Sequence, residues 1–199
     1  LKSNVSLVPL EWVKQLSIEK HCEFAAVQLT DFNTIVVVVY RSPIGIMTNF
    51  LENFEVLLET LFRTGLRVVI TGDFNQCFLK QPPEAIKFFN SFFSYGYHYL
   101  INEPTRGASC LDNFLVNFQE DFTCTVFDSG LSDHYAISTT FPQPISDRGA
   151  RSEEITTRPI TSKGLQHFYT SLSNLDWSFI TSQDLNIEEK WDLFLYIIT

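Results

Sequence analysis

The run Arg67–Asn75, RVVITGDFN, constrains this chain most. Val68 to Thr71 are apolar or β-branched, the composition of a buried strand. Gly72 ends the run, and Asp73, Phe74 and Asn75 follow it. Residues two apart in extended chain point the same way. A strand ending here therefore presents Asp73 and Asn75 together at its mouth and turns Phe74 back into the protein. A carboxylate beside an amide that both donates and accepts suits work on a phosphate ester. The same residues suit a plainer role, in which Asp73 or Asn75 caps a helix or turn. The rest of the chain has to decide between the two.

Ahead of this run, Leu7 to Leu16 is weakly patterned and reads as a short strand or loop. Glu23–Thr30 (EFAAVQLT) and Thr34–Tyr40 (TIVVVVY) are strand-like, with the turn residues Asp31, Phe32 and Asn33 between them, which predicts a hairpin. From Thr48 to Phe62 the period changes. Phe50, Leu51, Phe54, Leu57, Leu58, Leu61 and Phe62 recur at three- and four-residue spacing, the stripe of an amphipathic helix that ends near Gly65. That aromatic stripe is core material. After GDFN a helix is expected from Pro82 to about Phe93, and strands over 97–101, 110–117, 122–127 and 134–141. Mixed helices and strands, with strands dominant late, give an α/β sandwich with two sheets in the middle and helices outside. Near Pro142 the composition turns to Pro, Ser, Asp, Gly and Arg, so a domain over 1–142 gives way to a linker over 143–161. A helical tail over 162–199 follows, with Leu165, Phe168, Leu172 and Leu175 on one face and Ile187, Trp191, Phe194 and Leu195 on another. Asp176, Trp177 and Asp184 supply turn or capping material between them.

Composition enters as a set of exclusions. With 45% hydrophobic residues and 19 phenylalanines among 199, the chain can bury a sizeable core. A net charge of −9 excludes a non-specific basic nucleic-acid binder, which draws its affinity from neutralising phosphates. It leaves open an enzyme that meets phosphate through a divalent cation, because the ion inverts the local sign of the site. Cys22, Cys77, Cys110 and Cys124 lack metal-ligand spacing and read as reduced core residues, so an intracellular setting is expected. No apolar run approaches a membrane span, and the opening residues do not resemble a signal peptide.

The residues that carry chemistry lie at strand ends: Tyr40 and Arg41, Asp73 and Asn75, Thr105 and Arg106, Ser109, Asp112, and Asp133 with His134 in LSDHYAI. A histidine there is commonly structural. Yet Asp112 sits inside the apolar strand LDNFLV, where a carboxylate is expensive unless partnered. A histidine ring is its cheapest partner. Asp112 would then orient His134 to act as a general base, or toward a phosphate oxygen. Asp73 and Asp133 remain as carboxylates that hold a Mg²⁺-type cation or orient a water. Arg41 and Arg106 are either phosphate-binding forks or solvated surface residues.

VVYRSP, GDFN, PTRG with SCLDNFLV, and GLSDHYAI stand in that order between Val39 and Ile137. Together they resemble the endonuclease/exonuclease/phosphatase superfamily, and most of all the endonuclease domains of non-LTR retrotransposons. The resemblance implies a four-layered α/β sandwich of two packed, mainly antiparallel sheets flanked by helices. It implies a phosphodiesterase dependent on Mg²⁺ or Mn²⁺ that nicks DNA in an intracellular, nuclear setting. By that analogy His134 and Asp112 assist attack at phosphorus, Asp73 orients or deprotonates the water, and Asn75 binds phosphate or nucleophile. Tyr40 hydrogen-bonds phosphate, Asp133 supports the metal, and Thr105 and Ser109 line the DNA-facing loop. The tail resembles, more weakly, the connector from such a domain to a reverse transcriptase.

One departure bears on these expectations. The superfamily places an Asn strand and a Glu strand, the Glu being a principal metal ligand, well before the YRSP element. Here Asn4, Glu11 and Glu23 are the upstream candidates, in contexts that do not match, so the domain is expected to be incomplete at its N-terminus. Two alternatives follow. One is an inactive remnant or protein-binding module that keeps the fold. The other is a phosphatase or deadenylase of the same superfamily, disfavoured because CLDN replaces the WCDR-like segment of the phosphatases.

Overall fold

A computed structural model describes residues 5–80, 82–142, 161–181 and 185–198. The chain divides into two units, Leu1–Pro159 and Ile160–Thr199. In the first unit the elements run β1 (Leu7–Pro9), α1 (Glu11–Lys14), β2 (Cys22–Leu29), β3 (Thr34–Arg41), α2 (Met47–Thr64), β4 (Arg67–Asp73) and α3 (Ile86–Phe93). Then come β5 (His98–Tyr99), β6 (Asp112–Val116), β7 (Thr123–Phe127) and β8 (Ala136–Thr140).

The hairpin forms as the turn residues require. A 3₁₀ turn over Thr30–Phe32 leads to Asn33, whose φ of 47° is left-handed, and β2 then pairs antiparallel with β3. Helix α2 carries the chain back, so β4 lies parallel to β3. Gly65, at φ 64°, ends α2 with its N–H on the Phe62 carbonyl. The six-stranded sheet has the order β1-β2-β3-β4-β6-β5, with every pair except β3–β4 antiparallel. A second sheet holds β7 and β8. Two sheets with helices against them are the expected sandwich, with the second sheet reduced to two strands among the described residues.

Alternation divides the large sheet into two faces. Ile35, Val37 and Val39 of β3 and Val68 and Ile70 of β4 are buried in one core with Phe50, Phe54, Leu57, Leu58 and Leu61 of α2. Phe54, Phe74, Phe78 and Phe88 cluster within it at ring separations of 5.5 to 6.4 Å, Phe74 edge-on to Phe54 and to Phe78, Phe78 edge-on to Phe88, and Phe54 stacked on Phe88. Each fully buried ring contributes roughly 1.5–3 kcal/mol. The core therefore fixes the end of β4 from below, through Phe74. Cys124, Val126 and Ile137 of the small sheet, partly buried, pack against this core.

Several boundaries differ from expectation for local reasons. Residues 11–14 form a helical turn where a strand or loop was expected. The strand expected over 97–101 shrinks to His98–Tyr99. Asn113, fully buried, takes the Leu100 and Ile101 N–H groups on its Oδ1 and donates to the Ile101 carbonyl. Asn117 likewise ends β6 by accepting from the Val68 N–H and donating to the Leu66 carbonyl. His134 and Tyr135 precede β8 rather than opening it. The first turn of the helix expected from Pro82 is a 3₁₀ turn over Pro83–Ala85.

In the second unit α4 (Ser162–Ser173), α5 (Ser178–Thr181) and α6 (Ile187–Ile198) form the expected helical tail. Thr161 caps α4 by accepting from the Gly164 N–H at 3.0 Å. Asp176 accepts from the Ser178 N–H at 2.9 Å. At α6, Asn186 Oδ1 takes the Glu188 and Glu189 N–H groups, and Glu189 reaches back to the Asn186 N–H, a reciprocal cap. Asp184 and residues 143–160 of the expected linker lie outside the described residues. Among the described residues no helix is long and apolar enough to cross a membrane.

Candidate active site

The site begins where β4 ends. Strand β3 passes so close to Gly72 that a Cβ there would run into the Val39 carbonyl, and its φ of +143° is open only to glycine. One residue on, Asp73 lies opposite Tyr40 of β3 and opposite Asp112 of β6. Glu23 of β2 lies opposite Tyr40 in turn. A single cross-strand row thus reads Glu23, Tyr40, Asp73, Asp112, with Glu23 and Tyr40 exposed and both aspartates half-buried.

Beyond Asp73 the chain turns sharply. Phe74 is buried, and Asn75 takes a left-handed φ of 46°. The Asn75 backbone N–H donates to Asp73 Oδ1 at 2.8 Å, and its side-chain amide donates to Asp73 Oδ2 at 2.9 Å. The same amide donates to the Arg41 carbonyl at 2.8 Å. Both partners are acceptors, so the amide orientation is settled. Both of its hydrogens are used, and only Oδ1 remains to face a ligand. The capping role and the site role thus coexist: the turn is what fixes the pair.

Arg41 turns inward. Its side chain, on a residue only 6% exposed, donates to the carbonyls of Phe74 (2.6 Å), Asn75 (2.6 Å) and Ser42 (3.2 Å). Burial lowers its guanidinium from the ordinary value, and the Asp73 and Tyr40 charges offset part of that. The expected phosphate fork is a brace under the GDFN turn.

Asp112 Oδ2 accepts from His134 Nδ1 at 2.8 Å and from the Thr105 hydroxyl at 2.7 Å. An accepting carboxylate fixes the proton on Nδ1 and leaves Nε2 as the free nitrogen. The Ser132 hydroxyl accepts from the His134 N–H at 3.1 Å and shapes the SDH loop. Asp133 points elsewhere. It pairs with Arg106 at 2.6 Å on the exposed rim, and that hydrogen bond holds its carboxyl below the usual range. Ser109 donates its N–H to the Arg106 carbonyl in the same loop. Thr105 is fully buried rather than lining a surface.

One oxygen each from Asp73 and Asp112 and one ring nitrogen of His134 lie within 4.8 Å of one another. Burial pushes the Asp73 carboxyl up; the Asn75 N–H lowers it, Asp112 adds to the rise, and His134 and Arg106 oppose it. Two carboxylates facing each other in a half-buried site fit a hard divalent cation, whose charge removes that penalty. Asp133 is not in this group.

No family model matches the chain, and no curated protein matches it. Solved structures do. The endonuclease domain of TRAS1, a telomere-specific non-LTR retrotransposon, superposes with a TM-score of 0.55 at 15% identity, over 70% of this chain and 68% of that one. The chain shares the fold of that endonuclease domain. An endonuclease/exonuclease/phosphatase family protein from Leptotrichia buccalis matches at TM-score 0.43 and 14% identity, over 60% of this chain and 53% of its own. A mannosyl-6-phosphatase from Bacteroides thetaiotaomicron matches at 0.41 and 16%, over 61% and 56%. On this fold the strand ends of β3, β4 and β6 and the loop before β8 bring Tyr40, Asp73, Asn75, Asp112 and His134 to one rim. They leave Arg41 and Thr105 beneath it and Arg106 with Asp133 outside it. The brace of Arg41, the Thr105 bond and the Ser132 turn were not read from sequence. Only the adjacency of PTRG to LDNFLV hinted at the second.

Proposed function

We propose that this site hydrolyses phosphodiester bonds with a divalent cation and that its substrate is DNA; the fold it shares with a retrotransposon endonuclease domain supports the reading. The observation that carries the reading is the convergence of Asp73, Asp112 and His134, with His134 already oriented by Asp112. At 15% identity the likeness is one of fold, and the activity of this chain is a proposal. Mg²⁺ or Mn²⁺, held by Asp73 and Asp112, would supply charge stabilisation as negative charge builds on the phosphate.

The protein residues divide the remaining work. Asp73, fixed by the Asn75 N–H and side-chain amide, orients the attacking water. Asn75 has only its Oδ1 left, so it accepts from that water and does not bind phosphate. His134, with its proton held on Nδ1 by Asp112, offers the lone pair of Nε2 to the attacking water as general base. Tyr40, exposed in the same row, offers its hydroxyl to the phosphate. Water oxygen bonds to phosphorus as the P–O bond to the leaving strand breaks; the water's proton passes to His134 Nε2, and the leaving oxygen takes a proton from solvent. A DNA substrate agrees with the expected nuclear setting.

Supercoiled plasmid incubated with the protein and Mg²⁺ or Mn²⁺ should yield nicked circles. His134→Ala should lower the rate by about 10²–10⁴-fold. Intact supercoils at every metal concentration would refute the proposal.

A further inference from the structure

We infer that Thr105 is the positioning residue of the Asp112–His134 pair, a role that rests on the proposed hydrolytic site. Three bonds converge on one hydroxyl. Thr105 Oγ1 accepts the Leu111 N–H at 2.9 Å and the Asp112 N–H at 3.1 Å. With both lone pairs occupied, its own hydrogen has one direction left, along the 2.7 Å bond to Asp112 Oδ2. That oxygen is the one that accepts from His134 Nδ1 at 2.8 Å. Two donors aimed at one oxygen lock the carboxylate against rotation about its Cβ–Cγ bond.

The backbone of the same residue reaches the other partner. The Thr105 carbonyl accepts the Tyr135 N–H at 2.7 Å, next to His134. Its own N–H donates to the Ser109 carbonyl at 2.9 Å, which closes the loop that carries it. Thr105 is 0% exposed, so no substrate reaches it. It therefore fixes both halves of the pair, Asp112 through its side chain and the His134 loop through its main chain. A surface role in a DNA-facing loop does not suit a hydroxyl with all three of its bonding directions filled inside the protein.

The test compares Thr105→Val, which keeps the shape and loses the hydroxyl, with Thr105→Ser, which keeps the hydroxyl. Proton NMR reads the hydrogen-bonded Nδ1 proton of His134, assigned by its loss in His134→Ala. Nicking of supercoiled plasmid with Mn²⁺ gives kcat and KM. Thr105→Val should lose the far-downfield Nδ1 resonance and lower kcat about 10–100-fold with KM little changed, the range for a group that orients a ligand or base. Thr105→Ser should restore both. An unchanged resonance and kcat in folded Thr105→Val would overturn the assignment. If that variant fails to fold, the unmodified protein decides. Its Thr105 hydroxyl proton must exchange slowly and show a nuclear Overhauser contact to the His134 Nδ1 proton, and absence of that contact overturns the assignment. The NMR result stands even if the protein nicks nothing, so failure of the hydrolytic reading and failure of the Thr105 role are told apart.

Discussion

Replacing Arg41 separates two roles that a surface arginine and a buried one would play. In Arg41→Met the Phe74 carbonyl, on a fully buried residue, loses its donor, whereas the Ser42 carbonyl keeps the Gly45 N–H at 3.0 Å. An orphaned buried acceptor costs roughly 1–3 kcal/mol. The Asn75 carbonyl, in a half-buried residue, adds less because water reaches it. Relief of the buried guanidinium's desolvation returns part, which leaves a loss of about 2 kcal/mol. With urea slopes of about 1–3 kcal/mol per molar, the unfolding midpoint should fall by roughly 0.7–2 M. Arg41→Lys should lie between, since an ammonium cannot reproduce the fork. The second assay is DNA affinity against salt. An arginine on phosphate contributes about one to the slope of log K on log salt, whereas a brace contributes nothing. A midpoint moved by less than about 0.2 M, with the salt slope reduced by about one, would refute the inward role and return Arg41 to the phosphate.

Three more outcomes follow from the end of β4. Below the unfolded carboxylate pKa, near ~4, Asp73 is protonated in both states. As pH rises toward its raised folded value only the native state holds the proton, so stability should fall through that window in metal-free buffer. Urea midpoints against pH should show the fall, and Asp73→Asn should flatten it. Mn²⁺ at about a hundred times its Kd should add about 2.7 kcal/mol to the unmodified protein and none to Asp73→Asn. Gly72→Ala should lose more than about 3 kcal/mol, because a Cβ at that φ meets the Val39 carbonyl. Its failure to give soluble folded protein, or a steep fall in urea midpoint, is the check.

Periodicity made the fold legible. The α2 stripe, the β2–β3 hairpin and the β4 strand each had one dominant pattern, and each formed within a few residues of its expected span. Boundaries failed where a side chain replaced the ladder, as Asn113 does at β5, because no periodic pattern announces such a bond. The site was legible in its composition and less so in its directions. The Asp112–His134 pairing followed from the expense of an aspartate in an apolar strand, and the structure forms it. Arg41 and Thr105 could not be aimed from sequence. The direction of each depends on turns at Asn75 and Ser109 that bring distant carbonyls and N–H groups to it. Asp133 and His134 are neighbours in sequence yet face different partners, Arg106 and Asp112.

The central claim is that Asp112 and His134 act as one unit in a metal-dependent hydrolytic site. A double-mutant cycle on plasmid nicking tests it most directly, with Asp112→Asn, His134→Ala and the combined variant assayed in Mn²⁺. Groups that act as a unit are grossly non-additive. The account predicts that the double variant nicks no more than about threefold slower than the worse single variant. Losses that multiply, a single variant at the unmodified rate, or no nicking by the unmodified protein would each contradict it.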